Sequence, residues 1–237
     1  GGLVGSNSVS ISNSYATGSV TGHSSDQFYA AGGLVGKNRG SISSSYATGM
    51  VSGIRVGGLV GAKLVGGSTT TSYWDKDTSG MTTSVGGSGR TTTELMSALP
   101  TGFSSDVWDI IPGTSYPYLK WSHPTTPQVV SGFVKDASGA AQAGQAVQTL
   151  ANGNLVGSAS SGANGFYYQL LGNGSIANNA PVLSYVNASG SAARYATAVN
   201  QSLTGFDITA DRVTATSGGV LDVTVLLASA KGSNTDN

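Results

Sequence analysis

The side chains able to do chemistry are few, and each sits in a pattern that can be weighed. Asp75, Asp77 and Ser79, followed by Gly80, are spaced like the start of a calcium loop. Such a loop needs about six oxygen ligands, commonly including a bidentate Glu at its twelfth position. That position is Gly86, and the single Glu of the chain, Glu94, lies well beyond it. The motif is therefore expected to be a polar turn whose Asp side chains bond nearby backbone amides. Asp106 and Asp109 flank Trp108 and have the residue types of a polysaccharide-cleaving pair. Acid–base work needs one carboxyl held at a raised pKa in a cleft, and the sequence around them gives no sign of one. His23 precedes Ser24, Ser25 and Asp26, but triad partners meet through the fold rather than by adjacency. His23 and His123 are read as exposed loop residues. No catalytic residue, metal ligand or cofactor is assigned, and no enzymatic activity is expected.

Groups suited to binding are more numerous. Tyr116, Tyr118 and Trp121 have faces that suit sugar rings, although packing within the protein is the expected use. Threonine runs at 69–71 and 91–93 raise ice binding, which requires flat Thr ladders in every repeat, and the first two copies of the repeat described below lack them. The sequons at Asn173, Asn187 and Asn200 are treated as incidental in a chain rich in Asn and Ser. Recognition tends to concentrate on loops held by a rigid scaffold. The least regular stretch, residues 173–201, holds Tyr185, Asn187, Arg194 and Tyr195, which combine aromatic and hydrogen-bonding groups. These four are the candidate ligand-binding residues.

The elements that must position such groups follow from composition and pattern. Only 9% of the 237 residues are charged, 36 are Gly, and 11 basic residues balance 11 acidic ones. No broad field draws the chain to nucleic acid or to an anionic membrane. The absence of Cys excludes a disulfide framework and thiolate chemistry. No apolar run approaches the ~20 residues needed to span a bilayer as a helix, so membrane insertion is not expected. Short Val, Thr, Ile and Tyr runs punctuated by Gly indicate an all-β chain. With no initiator Met and a start inside a repeat, the sequence reads as a piece of a longer chain.

GGLVGSNSVSISNSYATG at residues 1–18 recurs as GGLVGKNRGSISSSYATG at residues 32–49, and a third GGLVG begins at Gly57. Repeats of 20–50 residues indicate solenoids or arrays. Three short strands per copy are expected, near residues 2–4, 9–15 and 19–20. The middle one should place Ile11, Asn13 and Tyr15 on one face. Stacked copies would align Leu3, Leu34 and Leu59 in one buried ladder and Tyr15, Tyr46 and Tyr73 in another, with Gly pairs at the corners. The architecture expected is a parallel β-helix of about three rungs, each stabilised by its neighbours. Residues 73–121 hold all three Trp, and their aromatics are expected to cap the last rung. The one helix expected is TTTELMSAL, residues 91–99, which Pro100 ends.

GGLVG-x-N followed by S-Y-A-T-G resembles the GLUG repeat of bacterial surface proteins, found in filamentous-haemagglutinin-like adhesins exported by two-partner secretion. SYWDKDTSG, GGSGRTTTELM, VWDI and YPYLKW resemble the segment that commonly closes such an array. The resemblance implies an extracellular or cell-surface adhesin that meets a host-cell or matrix glycan or protein. It also implies a partner in outer-membrane secretion or anchoring, and a role in adhesion or biofilm. The alternative is the non-catalytic portion of a secreted β-helix hydrolase or peptidase.

Two prolines in SHPTTPQ favour an extended linker, beyond which the repeat vanishes. VSGFVKDASGAAQAGQAVQTL reads as two strands around a Gly-rich turn. GANGFYYQLL reads as a turn entering a strand with Phe166, Tyr168 and Leu170 on one face. Residues 218–228 read as an alternating strand. Several short strands with turns between them suggest a β-sandwich. The opening resembles the carboxypeptidase-regulatory and transthyretin-like sandwiches, with a G-x-V-x-D-x-x-G hairpin from Gly132 to Gly139. The expected division is repeats over 1–85, a capping segment over 86–122, a linker over 123–128, a sandwich over 129–231 and a flexible tail over 232–237.

Overall fold

A computed structural model of the protein describes residues 1–23, 29–186, 192–197 and 202–216. Among them the only helices are Lys76–Ser79 and Thr92–Ser97. The rest of the regular structure is strand, so the chain is all-β. It divides into two compact units, Gly1–Ser122 and His123–Asn237.

In the first unit the copies of the repeat lie beside one another as parallel strands. Val35–Asn38 pairs with Val4–Asn7 on one edge and Val60–Lys63 on the other. Ser41–Ser43 lies between Ser10–Ser12 and Ser68–Thr70. Tyr46–Ala47 lies between Tyr15–Ala16 and Tyr73–Asp75, and Ser88–Arg90 adds a further parallel strand. Val20–Gly22 pairs with Val51–Gly53, and Ala31–Gly32 with Val56–Gly57. Between the first two copies most pairs are of like residues, among them Val4 with Val35, Asn7 with Asn38, Ile11 with Ile42 and Tyr15 with Tyr46. Val35 pairs with Val60, yet Tyr46 pairs with Tyr73, because a turn between Leu64 and Gly67 absorbs the difference in spacing.

The expected middle strand over 9–15 is broken. Asn13, Ser44 and Thr71 take left-handed backbone angles (φ 47, 46 and 39°), which reverses the alternation of side chains at that corner. Ile42 thus enters the apolar interior with Leu34, Val35, Leu59, Val60 and Trp74, whereas Tyr46 points to the flank. Ser residues one position later bind the corners together. Ser45 Oγ donates to Ser43 O at 2.7 Å and accepts from the Ser14 amide at 3.1 Å. Ser72 Oγ repeats this on Thr70 O and the Ser45 amide. The Gly pairs serve close approach rather than positive φ, since a Cβ on Gly33 would lie 2.2 Å from Gly58 O.

The leucine ladder is only partly buried. Leu34 and Leu59 are fully buried, but Leu3 is 45% exposed. It belongs to the first copy, whose strands are the outer edges of their sheets. The far side of the third copy is covered by the segment that follows it. Gly58 N donates to Thr83 O, and Ser84 Oγ accepts from the amides of Leu59 and Val60.

The described residues of the second unit form two sheets around an apolar core. One has the order Phe166–Leu171, Gln128–Lys135, Ile208–Thr209. The other runs Asn154–Ser160, Ala146–Ala151, Pro181–Val186, Ala193–Thr197, Val213–Thr216. Val130, Val134, Val147, Tyr167, Val182 and Ile208 meet between them. The two strands expected around the Gly-rich turn, Gln128–Lys135 and Ala146–Ala151, lie in different sheets; the turn is closed by a bridge from Lys135 to Ala141, with Asp136 N donating to Ala140 O and Gln142 N to Val134 O. The buried face of Phe166–Leu171 is Tyr167, Gln169 and Leu171, opposite to Phe166, Tyr168 and Leu170. Both faces are partly apolar, so alternation alone left the choice open. The strand expected over 218–228 and the tail over 232–237 lie outside the described residues.

Candidate functional site

The aromatic segment does not sit over the end of the repeats. It runs along their flank. Tyr15 and Tyr46 stack at 5.3 Å, with planes 7° apart. Trp108 packs on both, 6.1 Å from Tyr15 and 5.9 Å from Tyr46, and its indole N–H donates to Asn13 Oδ1 at 3.1 Å. Phe103 lies against Tyr46 and Tyr73, at 6.3 and 6.0 Å. The phenol of Tyr46 donates to Pro117 O and that of Tyr73 to Thr101 O. One segment thus braces all three tyrosines, each with a satisfied hydroxyl or ring contact. Tyr116 and Tyr118 are buried in this arrangement, leaving Trp121, 78% exposed, as the member of the sugar-stacking trio open to solvent.

The calcium-like motif becomes a junction. Asp75 is fully buried at the end of the third tyrosine strand and caps the helix Lys76–Ser79. Its Oδ1 accepts from the amides of Asp77 and Thr78, and its Oδ2 from Thr92 Oγ1 at 2.7 Å and the Tyr116 hydroxyl at 2.6 Å. Burial pushes the carboxyl above its ordinary value, and these hydrogen bonds pull back against that. Burial and the neighbouring Asp75 charge raise Tyr116 well above a normal phenol. Both oxygens of Asp75 therefore serve protein donors, as the polar-turn reading requires. The helix Thr92–Ser97 begins with a reciprocal cap between Thr91 and Glu94. The local run TTTELMSAL before Pro100 pointed to the helix, but nothing in the sequence pointed to the Asp75–Tyr116 contact. The recurring Asn of GGLVG-x-N was a usable signal for a second contact, in which Asn7 Nδ2 donates to Asn38 Oδ1 at 2.8 Å inside the array.

Among the described residues the remaining motif residues do not converge on a reaction centre; Ser24, Ser25 and Asp26 lie outside the described residues. Asp109 accepts from the neighbouring Ile110 amide, and Asp106 is exposed on the other side of the buried Trp108. His23 is exposed, whereas His123 is half-buried and its pKa lowered by desolvation. A cavity of about 290 Å³ beside His23 is lined, among the described residues, by Val20, Thr21, Tyr29, Ala31 and Ile54. Among the described residues no group of three His, Cys, Asp or Glu is placed to share a metal ion.

The candidate binding residues that are described do not form one cluster: Tyr185 and Tyr195 share a face of the sheet, and Arg194 does not. Tyr195 is 3% exposed and packs with Leu150 and Leu183. Tyr185 is on the same face of the sheet, half-buried, and its hydroxyl donates to Gln148 Oε1. Arg194, next to Tyr195 in the strand, points to the opposite face, where its guanidinium lies 5.7 Å from the Phe206 ring. Asn187 lies outside the described residues. The stretch looked irregular in sequence, but Pro181–Val186 and Ala193–Thr197 are paired strands of the five-stranded sheet. Strand alternation separates Arg194 from the two tyrosines.

With this geometry in view, one family model matches: the GLUG motif, over residues 29–52. The chain therefore carries a GLUG repeat, a motif consistent with extracellular, surface-type repeat proteins. No curated protein and no solved structure matches the chain. No helix among the described residues is long and apolar enough to cross a membrane.

Proposed function

We propose that the chain is a structural and adhesive segment of a secreted bacterial surface filament. In this reading the three copies are successive turns of a parallel β-helix that acts as a stalk. The second unit is a β-sandwich, of the carboxypeptidase-regulatory or transthyretin kind, that the stalk presents. The observation that carries the reading is the in-register parallel pairing of the copies, reinforced by like-on-like contacts from Asn7 to Asn38 and Tyr15 to Tyr46. Such contacts hold at any number of copies, which suits an extended array. The GLUG match supports the surface setting. The action is passive: the array holds a module where it meets a host-cell or matrix glycan or protein, and a secretion or anchoring partner retains it at the outer membrane. Catalysis has no part in this reading.

The test is binding to cells and to a glycan array by the full chain, by residues 1–122 and by residues 129–231. Binding by the full chain and by 129–231, but not by 1–122, is the expected result. Binding confined to 1–122 would put recognition on the repeats and overturn the division into stalk and presented module.

A further inference from the structure

The five-stranded sheet of the second unit buries side chains on both of its faces, and the core accounts for only one. Val147, Ala151, Val182 and Ala196 point toward the other sheet. Alternation sends Leu150, Leu183 and Tyr195 the opposite way. These form a row across the ladder, Leu150 beside Leu183, Leu183 beside Tyr195, and Tyr195 beside Ala215. They are 1%, 5% and 3% exposed.

A sheet packed on one side only turns polar residues to water on the other, and large side chains left there stay accessible. The rim of this same face shows the contrast. Leu155, paired with Leu150, is 58% exposed, and Val213, paired with Ala193, is 54% exposed. The cover is therefore narrow and lies over the row. One chain by itself buries these residues, so the cover belongs to that chain. Tyr185, Ala193 and Ala215, the other described members of the cluster, are on the sheet too and do not supply it.

The sequence offers one occupant. The segments that adjoin these strands at 187–191 and 198–201 read NASGS and AVNQ, with Val199 as their single large apolar residue. Residues 220–227 read VLDVTVLL, in which six of the side chains are Val or Leu. They follow the last member of the row, Ala215, after Ser217, Gly218 and Gly219, residue types that let a chain reverse. From the strand Val213–Thr216 to Ala146–Ala151 the row crosses three interstrand steps, about 14 Å, and eight extended residues span about 26 Å. Leu221, Val223, Val225 and Leu227 alternate with Asp222, Thr224 and Leu226, which provides an apolar side of the required width.

We propose that residues 220–227 fold back over the outer face of the five-stranded sheet and bury Leu150, Leu183 and Tyr195 beneath Leu221, Val223, Val225 and Leu227. Tyr185 and Tyr195 then serve an internal contact, and recognition by the second unit falls on its other surfaces. The inference is independent of the stalk reading and stands whether or not residues 129–231 bind a glycan.

The experiment uses the full chain, which has no Cys. Ala193→Cys is combined in turn with Cys at positions 221 to 227, and each pair is oxidised at low protein concentration and mapped by peptide mass. An intrachain disulfide to at least one of Leu221→Cys, Val223→Cys, Val225→Cys and Leu227→Cys is expected. It should form about tenfold or more faster than disulfides to Asp222→Cys or Thr224→Cys, whose Cβ atoms point away. In a chain ending at Thr216, maleimide labelling of Ala193→Cys should accelerate by about tenfold or more. Ala196→Cys, on the core side of the same strand, should stay protected in both chains. Equal rates at all positions, or no disulfide at any, would overturn the proposal. Disulfides formed only between molecules would assign the face to a second copy and overturn it as well. So would unchanged labelling of Ala193→Cys in the shortened chain. If Ala196→Cys also becomes reactive there, the core has been lost with the segment, and the disulfides of the full chain decide.

Discussion

Leu3, Leu34 and Leu59 occupy one repeat position in three environments, so replacing each by Ala isolates the effect of burial. Leu34 and Leu59 are 0% exposed and Leu3 is 45% exposed. Truncation at a filled site loses the transfer free energy of the removed carbons and leaves a partly relaxed cavity, together about 3 kcal/mol. At Leu3 much of the side chain is already in water and no closed cavity forms, so about 1 kcal/mol is expected. Gly1–Ser122 behaves as one compact unit, and for a unit of that size about 4 °C of Tm corresponds to each kcal/mol. Leu34→Ala and Leu59→Ala should then lower Tm by about 12 °C, and Leu3→Ala by about 4 °C. The assay is a tryptophan-fluorescence melt of the full chain. Trp74, Trp108 and Trp121 all lie in the first unit, so the signal follows that unit alone. Equal losses at the three positions, or the largest loss at Leu3, would refute the reasoning.

Leu34→Asp should be worse than Leu34→Ala, by about 2 kcal/mol or more, because it places a carboxylate without a partner in the same site; a milder effect would argue that the site opens to water. Gly33→Ala should destabilise by about 3 kcal/mol, since its methyl would meet Gly58 O at 2.2 Å and Ala47 Cβ at 2.9 Å; an unchanged melt would contradict that close approach. For Asp75 the folded pKa is raised above the ordinary 3.8, so its contribution is fully present below that pH and is lost as pH rises through the folded value. The Tm of the natural protein minus that of Asp75→Asn should therefore fall as pH climbs upward from 3.8, and a rise over that range would count against the buried junction. Residues 129–231 should melt cooperatively alone, whereas 1–85 should not. The shorter fragment lacks Phe103, Trp108 and Tyr116, which brace the tyrosine flank. A cooperative melt of 1–85 by circular dichroism would show the brace to be dispensable.

The repeat alone determined which residues face one another. Its identities align Val4 with Val35 and Tyr15 with Tyr46 before any coordinates are seen, because parallel pairing of equal units puts each residue beside its own kind. The helix Thr92–Ser97 was equally legible, since Thr91, Glu94 and Pro100 are local signals that act within one turn. Tertiary structure decided what local signals cannot reach. Asn13, Ser44 and Thr71 turn left-handed, so Ile11 and Tyr15 leave the corner toward different surroundings, and no alternation rule contains that reversal. The aromatics of residues 103–118 lie along the flank rather than over the end, because a flank offers a ladder of three tyrosine rings while the end is closed by the backbone of residues 83–90. Asp75 and Tyr116, 41 residues apart, meet only because that segment folds back. In the second unit Tyr195 is core and Arg194 faces the other way, a consequence of strand pairing between Pro181–Val186 and Ala193–Thr197 that composition does not encode. Periodicity specifies neighbours along a ladder; which surface a ladder turns inward depends on what else arrives to cover it.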